Sequence, residues 1–187
     1  MQQRSILQGK AILRAGFTLW FTGLSCSGKT TISRLVEAAL RAQGFSVEVL
    51  DGDVVRQNLS QGLGFSKADR DANIRRIAFV SKLLTRNQVV ALVAAISPYR
   101  EARELARKEI GRFVEVYVKC PLEICITRDV KGLYKKALDS TIPYFTGISD
   151  PYEEPLEPEI VIETDRETPE ESTAKVLRGL QNLGFLS

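Results

Sequence analysis

The chain has 187 residues, 44% of them apolar and 26% charged, and its formal net charge is +3. This length and composition indicate a single domain, residues 1–187, with a sizeable core. The small net charge argues against a nucleic-acid-binding protein, and no apolar run approaches the ~20 residues that a membrane helix needs.

Apolar runs of strand length alternate with helical patterns along the chain. Strands are predicted at 17–22, 46–50, 88–96, 113–118 and 159–163, and helices at 30–43, at 66–86, from residue 98, from residue 121 and from residue 168. Ser66 and Asp69 form a capping-box-like pair, and Thr168 precedes a proline and two acids in the order typical of a helix start. Strands separated by helices predict an α/β fold of three layers, with a mostly parallel central sheet and helices on both faces.

The stretch 131–158 interrupts this alternation. It contains four prolines, two glycines and few periodic apolar residues. A loop of this length inside a compact domain is usually functional. The sequence therefore predicts a lid at about 128–158.

The number and spacing of the cysteines indicate the cellular compartment in which the protein works. The three cysteines form no C-x-x-C pair, so a disulfide framework or a zinc site is not expected. Residues 1–16 lack the continuous apolar run of a secretory signal. These features predict a protein of the reducing cytoplasm. Because the chain has no histidine, acid–base chemistry would fall to carboxylates, lysine or solvent.

A phosphate-binding motif lies between the first predicted strand and the first predicted helix. The segment 23–30 matches G-x-x-x-x-G-K-[ST], a P-loop, in which backbone N–H groups and the helix N-terminus cradle a phosphate. Lys29 would reach the β- and γ-phosphates of ATP, and Thr30 would hold Mg²⁺. A chance match in a glycine-containing turn is the alternative, which the strand–helix context disfavours. The candidate ATP-binding residues are Gly23, Leu24, Ser25, Cys26, Ser27, Gly28, Lys29, Thr30 and Thr31.

The acids that follow the second strand favour a kinase over a GTPase or a motor ATPase. The strand at 88–96 ends in Ser97 and Pro98 instead of the acid of a Walker-B strand. Asp51 and Asp53 lie after the second strand, at an edge where α/β sheets bind ligands. A carboxylate there could accept a hydroxyl proton or orient Mg²⁺, although a plain Asp-Gly turn would look the same.

Arginines recur near the predicted strand ends and on the helix 66–86. Their guanidinium groups suit phosphate and sulfate oxygens. For three of them a solvated helix face is an equal alternative: Arg75, Arg76 and Arg103. The remaining arginines of this group are Arg56, Arg70 and Arg100.

Several segments together resemble the adenylylsulfate kinase family, whose members use ATP to phosphorylate the 3′-hydroxyl of adenosine 5′-phosphosulfate (APS), giving PAPS. The segments are GLSCSGKTT at 23–31, LDGDVVR at 50–56, LGFS at 63–66, DR at 69–70, NIRR at 73–76, ISPYR at 96–100, RDVKGLY at 128–134, FTGI at 145–148 and DPYE at 150–153. They follow the family's order and span residues 17 to about 160.

The resemblance implies roles on the acceptor side. Phe65 and Phe145 would sandwich the APS adenine. The phosphosulfate and ribose would be held by Arg56, Arg70, Asn73, the backbone of Ile96 and Ser97, Lys131 and Leu133.

It also implies roles in catalysis. Asp51 would be the base or, with Thr30, would organise Mg²⁺. Asp53 would be the second acid of the site and would support Asp51. Arg128 would lie on the lid over ATP, and Ser97 matches a serine proposed in the family as a phosphorylated intermediate. The resemblance further implies a homodimer, and it leaves open an association with ATP sulfurylase.

Three positions depart from the family pattern. Cys26 stands where glycine is usual, and we expect that position to tolerate a side chain. The segment 138–144 lacks the usual small, basic pattern, and Asn58 replaces a common histidine. Two alternatives remain: another small-molecule P-loop kinase, which would have no reason to carry the Phe65 and Phe145 segments, and a nucleotide-binding module without turnover.

Overall fold

The computed structural model describes residues 14–186 and contains one five-stranded parallel sheet with the strand order β2-β3-β1-β4-β5. The strands are β1 Thr18–Thr22, β2 Val47–Asp51, β3 Val90–Ala94, β4 Phe113–Lys119 and β5 Ile160–Glu163. The helices are α1 Lys29–Ala42, α2 Gly52–Asn58, α3 Lys67–Arg86, α4 Arg100–Ile110, α5 Leu122–Arg128, α6 Leu133–Leu138 and α7 Pro169–Asn182. The predicted α/β class with helices on both faces is confirmed.

Two apolar clusters cover the two faces of the sheet. Leu19 and Phe21 of β1 pack into a cluster with α1 and α7, whereas Trp20, between them, points to the cluster formed with α3 and α4. Successive side chains of a strand point to opposite faces. Because both faces are covered, every residue of β1 and of β3 is buried, which explains why these strands appear in the sequence as continuous apolar runs.

The predicted helix starts agree with the observed caps. The Ser66 hydroxyl accepts a hydrogen bond from the Asp69 amide at 3.2 Å, and α3 begins at the next residue. Thr168 and Glu171 form a reciprocal capping box at the start of α7. Each cap satisfies backbone N–H groups that have no partner within the helix.

Two short helices were not predicted, and both lie at the carboxyl edge of the sheet. Asp51 ends β2 and its carboxylate caps α2 by accepting from the Asp53 amide at 2.9 Å. In the lid, the Asp129 carboxylate accepts from the amides of Tyr134 and Lys135, each at 3.0 Å, at the start of α6. Helices of six or seven residues are too short for apolar periodicity to reveal.

A third, smaller cluster lies under the lid. Its buried members are Cys120, Cys125, Tyr134, Ala137 and Phe145. The three cysteines are free thiols. Over residues 14–186, none of the helices has the length and apolar character needed to cross a membrane. The prediction about a secretory signal concerns residues 1–16, most of which lie outside the described part of the chain.

Candidate active site

The P-loop after β1, the end of β2 and the turn after β3 meet at one edge of the sheet, as expected for parallel strands. Together with residues of the lid they line a cavity of about 530 Å³. Its lining includes every predicted acceptor-side residue, namely Asp51, Arg56, Phe65, Arg70, Asn73, Ile96, Ser97, Lys131, Leu133 and Phe145. It also includes Asp53 and the P-loop residues Ser25, Cys26, Gly28, Lys29, Thr30 and Thr31.

The P-loop closes around the ammonium group of Lys29. Its Nζ donates to the carbonyl oxygens of Gly23 at 3.0 Å and Leu24 at 2.6 Å. Gly23 has no room for a side chain, because a Cβ there would lie 2.5 Å from the Val118 carbonyl oxygen. Gly28, the N-cap residue just before α1, has φ 102°, a conformation that favours glycine. The loop is therefore shaped by its glycines, as the motif predicts.

Burial changes the protonation equilibrium of Lys29. Its residue exposure is only 8%, and removal from water lowers its pKa from 10.5 to about 8, although nearby thiols and carboxylates oppose the shift. A lysine in this state gains a great deal from a bound phosphate, since a negative charge favours its protonated form.

Cys26 adopts a left-handed backbone conformation with φ 58°. Such a conformation costs roughly 1–2 kcal/mol for a residue with a Cβ, which explains why glycine is suited to the position. The Cys26 side chain packs against the cluster under the lid, so the structure accommodates it.

Thr30 and Asp51 are brought together. The Thr30 hydroxyl donates to Oδ2 of Asp51 at 2.7 Å, while Oδ1 of Asp51 accepts from the Asp53 amide. A hydroxyl and a carboxylate beside a phosphate cradle suit Mg²⁺, which binds one or two carboxylates and keeps several waters or phosphate oxygens. These two side chains therefore fit the ion predicted at the site.

Asp53 lies farther out, at the mouth of the cavity. Its side chain is 64% exposed and forms an ion pair with Lys131 of the lid, whose side chain is 56% exposed. The two residues were predicted for different roles, catalysis and substrate binding. Their pairing bridges the start of α2 and the lid.

The arginines of the acceptor side surround Phe65. The ring is 48% exposed, and the guanidinium carbons of Arg56 and Arg70 lie 4.5 and 5.5 Å from its centroid. Arg70 also donates to the backbone carbonyls of Phe65 at 2.9 Å and Tyr144 at 2.5 Å. These bonds hold the Phe65 loop against the end of the lid.

Phe145 lies in a more apolar environment than its sequence neighbours suggest. The residues around it are polar and turn-like and give its ring no periodic core face to join. Phe145 is only 9% exposed and packs edge-on against Tyr134 with ring centroids 5.0 Å apart. The lid has its own apolar cluster, which sequence periodicity did not reveal. Phe145 therefore has a packing role and also lines the cavity.

Two buried polar atoms at the cavity lack hydrogen-bond partners among the described residues. They are Oδ1 of Asn73, a predicted residue, and Oγ1 of Thr146, which sequence reasoning missed. Buried polar groups in folded proteins are nearly always paired. Unsatisfied atoms lining a cavity are thus suited to meet a polar ligand.

Ser97 is placed at the cavity, but its hydroxyl already has partners. It accepts from the indole N–H of Trp20 at 2.9 Å and donates to the Ala95 carbonyl at 3.2 Å. Neither partner is a base, so the structure offers no evident means of activating this hydroxyl as a nucleophile.

Four predicted ATP-side residues do not line the cavity: Gly23, Leu24, Ser27 and Arg128. Arg128 ends α5 beside the P-loop, where it donates to Oγ1 of Thr164 at 3.1 Å and to the Thr164 carbonyl at 2.5 Å. The Thr164 hydroxyl in turn donates to the Ser27 carbonyl at 2.7 Å. Thr164 was missed because a lone threonine after a strand has no distinguishing pattern.

The other arginines do not reach the cavity. Arg75, Arg76 and Arg100 are exposed, as a solvated helix face would have them. For Arg103 both interpretations were wrong, since it is 2% exposed and forms an ion pair with the buried Glu115 at 2.7 Å. Lid residues that the sequence did not single out also line the cavity: Val130, Ile142, Tyr144 and Thr146.

The comparisons with known proteins agree with one another. The family model for adenylylsulphate kinase matches residues 15–163. An adenylyl-sulfate kinase of Rippkaea orientalis is 60% identical over 172 residues, which cover 92% of this chain and 95% of the relative. A probable bifunctional SAT/APS kinase of Sorangium cellulosum is 55% identical over 172 residues, 92% of this chain but 30% of that protein.

Solved structures give the same result. The Mycobacterium tuberculosis APS kinase in complex with AMPPNP and APS is 45% identical, with a TM-score of 0.86 over 90% of this chain and 99% of that one. A hexameric APS kinase from Thiobacillus denitrificans is 37% identical, with a TM-score of 0.71 over 93% of this chain and 30% of that one. The chain belongs to the adenylylsulphate kinase family.

Proposed function

We propose that this protein transfers the γ-phosphoryl group of ATP to the 3′-hydroxyl of APS, giving PAPS and ADP, in sulfate assimilation. One observation carries the proposal: a single cavity joins the P-loop lysine and Asp51 to a pocket with aromatic rings and arginines. The aromatic rings suit the flat faces of a base, and the arginines suit phosphate and sulfate oxygens. The solved complex of the Mycobacterium relative with AMPPNP and APS supports the same pair of substrates.

Phosphoryl transfer requires the protein mainly to position the two substrates and to stabilise the charge of the transferred group. Transfer breaks the bond between the γ-phosphorus and the bridging oxygen of ATP and forms a bond from that phosphorus to the APS 3′-oxygen. Lys29, which now donates to two loop carbonyls, would turn to the phosphates and stabilise the transferred charge. Asp51 would orient the hydroxyl and accept its proton.

Thr30 and Asp51 would hold Mg²⁺, whose charge would offset that of the β- and γ-phosphates. Arg128, beside Thr164 and the P-loop, would lie over the ATP purine. This arrangement would place the two nucleotides on different sides of the P-loop.

The acceptor would be held between the lid and α3. Phe65 and Phe145 would stack on the adenine, and Asn73 would supply an amide whose oxygen has no partner among the described residues. Arg56 and Arg70 would face the phosphosulfate, and Lys131 would exchange Asp53 for the substrate anion. The segment 128–158 would act as a lid that excludes water, which otherwise consumes ATP.

The experiment that tests the function is a coupled ADP-release assay with a panel of acceptors. We expect ADP release that depends on APS. Release with a different small acceptor would favour another P-loop kinase, and nucleotide binding without release would favour a module without turnover.

We further propose a cytoplasmic homodimer, on the family resemblance. The hexameric relative from Thiobacillus shows that other assemblies occur among solved relatives, so light scattering on the purified chain is the measurement. The Sorangium bifunctional relative, which is much longer, supports an association with ATP sulfurylase that co-purification would detect.

A further inference from the structure

The cavity has an edge made by the turn after β3. Ile96, Ser97 and Pro98 all line the cavity. Ser97 has φ 42°, in the left-handed region that residues other than glycine rarely adopt. Such a conformation costs of order 1–3 kcal/mol and persists only where neighbouring contacts enforce it.

Arg103 of α4 supplies those contacts from outside the cavity. Its Nη1 donates to the Ser97 carbonyl at 2.7 Å, and its Nη2 donates to the Glu153 carbonyl at 2.7 Å. Its Nε lies 2.7 Å from Oε1 of Glu115 on β4. One buried guanidinium thus joins the turn after β3, the last part of the lid and the sheet.

The last part of the lid makes a second connection to the same turn. The Glu153 amide donates to the Pro98 carbonyl at 2.9 Å. Three residues earlier in the same stretch, the Asp150 carbonyl accepts from the Gly147 amide at 2.7 Å, two residues after Phe145. The DPYE motif therefore ties the Ser97 turn to the part of the lid that carries Phe145.

We propose that Arg103 is a positioning residue for the phosphate acceptor: it fixes the Ser97 turn and, through Glu153, the end of the lid. This inference rests on the proposed function of the cavity. Arginine is required because its planar fork presents several N–H donors in a fixed geometry, whereas lysine is a single point charge on a flexible stem. Glu115 balances the buried charge without touching the substrate.

The chain offers a matched control in Arg107. It lies one turn farther along α4 and contacts the same Glu115, at 3.3 Å, together with Glu159. Among its contacts within residues 14–186 there is none to Ser97 or Glu153. Arg107→Met therefore weakens the same ion network without freeing the turn.

The test compares Arg103→Met, the double variant Arg103→Met/Glu115→Leu and Arg107→Met. Replacing both members of a buried ion pair by apolar residues is often neutral for stability, so the double variant separates folding from positioning. We expect it to melt near the wild type, to raise the KM for APS about 10- to 150-fold, the range for losing a hydrogen bond to a charged group, and to keep the ATP Kd within about twofold. Arg103→Lys should give an intermediate KM.

Hydrogen exchange supplies a readout that needs no substrate. We expect faster amide exchange at Ser97 and Tyr99, the two residues of the turn that carry an amide hydrogen, in the double variant and unchanged exchange there in Arg107→Met. A double variant with wild-type exchange, or with wild-type KM for APS at normal stability, would show that Arg103 only stabilises the fold. Wild-type protein without APS-dependent ADP release would instead overturn the proposed function, and the exchange result would still decide the role of Arg103 at the turn.

Discussion

The hydroxyl of Thr30 donates a 2.7 Å hydrogen bond to the carboxylate of Asp51, which joins the phosphate cradle to the end of β2. This carboxylate is buried and also caps α2 through the Asp53 amide. Asp53 itself lies at the cavity mouth, paired with Lys131. The two acids of the Asp-Gly-Asp motif therefore have different surroundings, and they should respond differently to substitution.

Asp51→Asn should lower kcat by about 10²–10⁴, the usual effect of removing a positioned base, with a smaller change in APS affinity. Asp53→Asn is the matched control and should lower kcat much less, because Asp53 is exposed at the cavity mouth and paired with Lys131. Steady-state kinetics with APS as the varied substrate separates the two effects. A loss confined to APS affinity in Asp51→Asn would make Asp51 a binding residue.

Lys29→Ala should abolish phosphoryl transfer while the chain stays folded, since its ammonium contacts only P-loop carbonyls within the described structure. The measurement is kcat together with the melting temperature. Unchanged turnover in this variant would refute the P-loop assignment.

ATP affinity should depend on pH through Lys29. Burial lowers the pKa of Lys29 to about 8 in the free protein, and bound phosphates would raise it again. Binding would then take up a proton above pH 8, and ATP affinity should fall by up to about tenfold per pH unit there. Calorimetry at pH 7 and pH 9, in buffers of different ionisation enthalpy, measures this uptake. Lys29→Met should show no such uptake in the same range.

The lowered pKa of Lys29 also makes the free energy of unfolding depend on pH. Between pH 8 and 10.5 the unfolded chain would hold the lysine proton more often than the folded chain. The contribution of Lys29 to the free energy of unfolding of the nucleotide-free protein therefore rises with pH in this window.

Ser97→Ala should keep substantial activity, because the Ser97 hydroxyl is bonded to an indole and a carbonyl rather than to a base. The variant should melt somewhat lower, since the buried Trp20 N–H loses its acceptor. Activity assays and mass spectrometry for phosphoserine are the measurements. Complete inactivation with intact binding of both substrates, plus trapped phosphoserine in the wild type, would establish a covalent intermediate.

Phe65→Ala and Phe145→Ala should each weaken APS affinity roughly 5- to 150-fold, since base stacking on an aromatic ring is worth about 1–3 kcal/mol. ATP affinity should change little. Leucine should restore less affinity than tyrosine at either position, because leucine has no π face.

Melting temperatures should separate the two phenylalanines. Phe65 is half exposed, so its alanine variant should melt near the wild type, whereas Phe145 is buried against Tyr134 and its loss should destabilise the lid. Normal APS binding by both alanine variants, measured by calorimetry, would place the adenine elsewhere.

Short-range patterns determined much of the fold and the cradle. The capping residues Ser66 and Thr168 act on amides three positions away, and the P-loop is a contiguous segment. The apolar runs of the strands follow directly from burial on both faces of a parallel sheet. Such features depend on neighbours in the sequence, so the sequence alone was enough to predict them, and the family's motifs added the residues of the acceptor side.

Only the tertiary structure decided how distant segments share the site. Lys131 meets Asp53 across 78 positions and Arg70 meets the Tyr144 carbonyl across 74, and no periodicity encodes such pairings. Arg103 is an ordinary charged residue of an amphipathic helix in the sequence, yet it is buried because Glu115, Ser97 and Glu153 converge on it. The burial of Phe145 likewise depends on α6 folding back onto the P-loop, where the Tyr134 hydroxyl donates to the Ser25 carbonyl at 3.1 Å. A side chain's role is set by the partners that packing brings to it, and those partners are fixed only when the chain has folded.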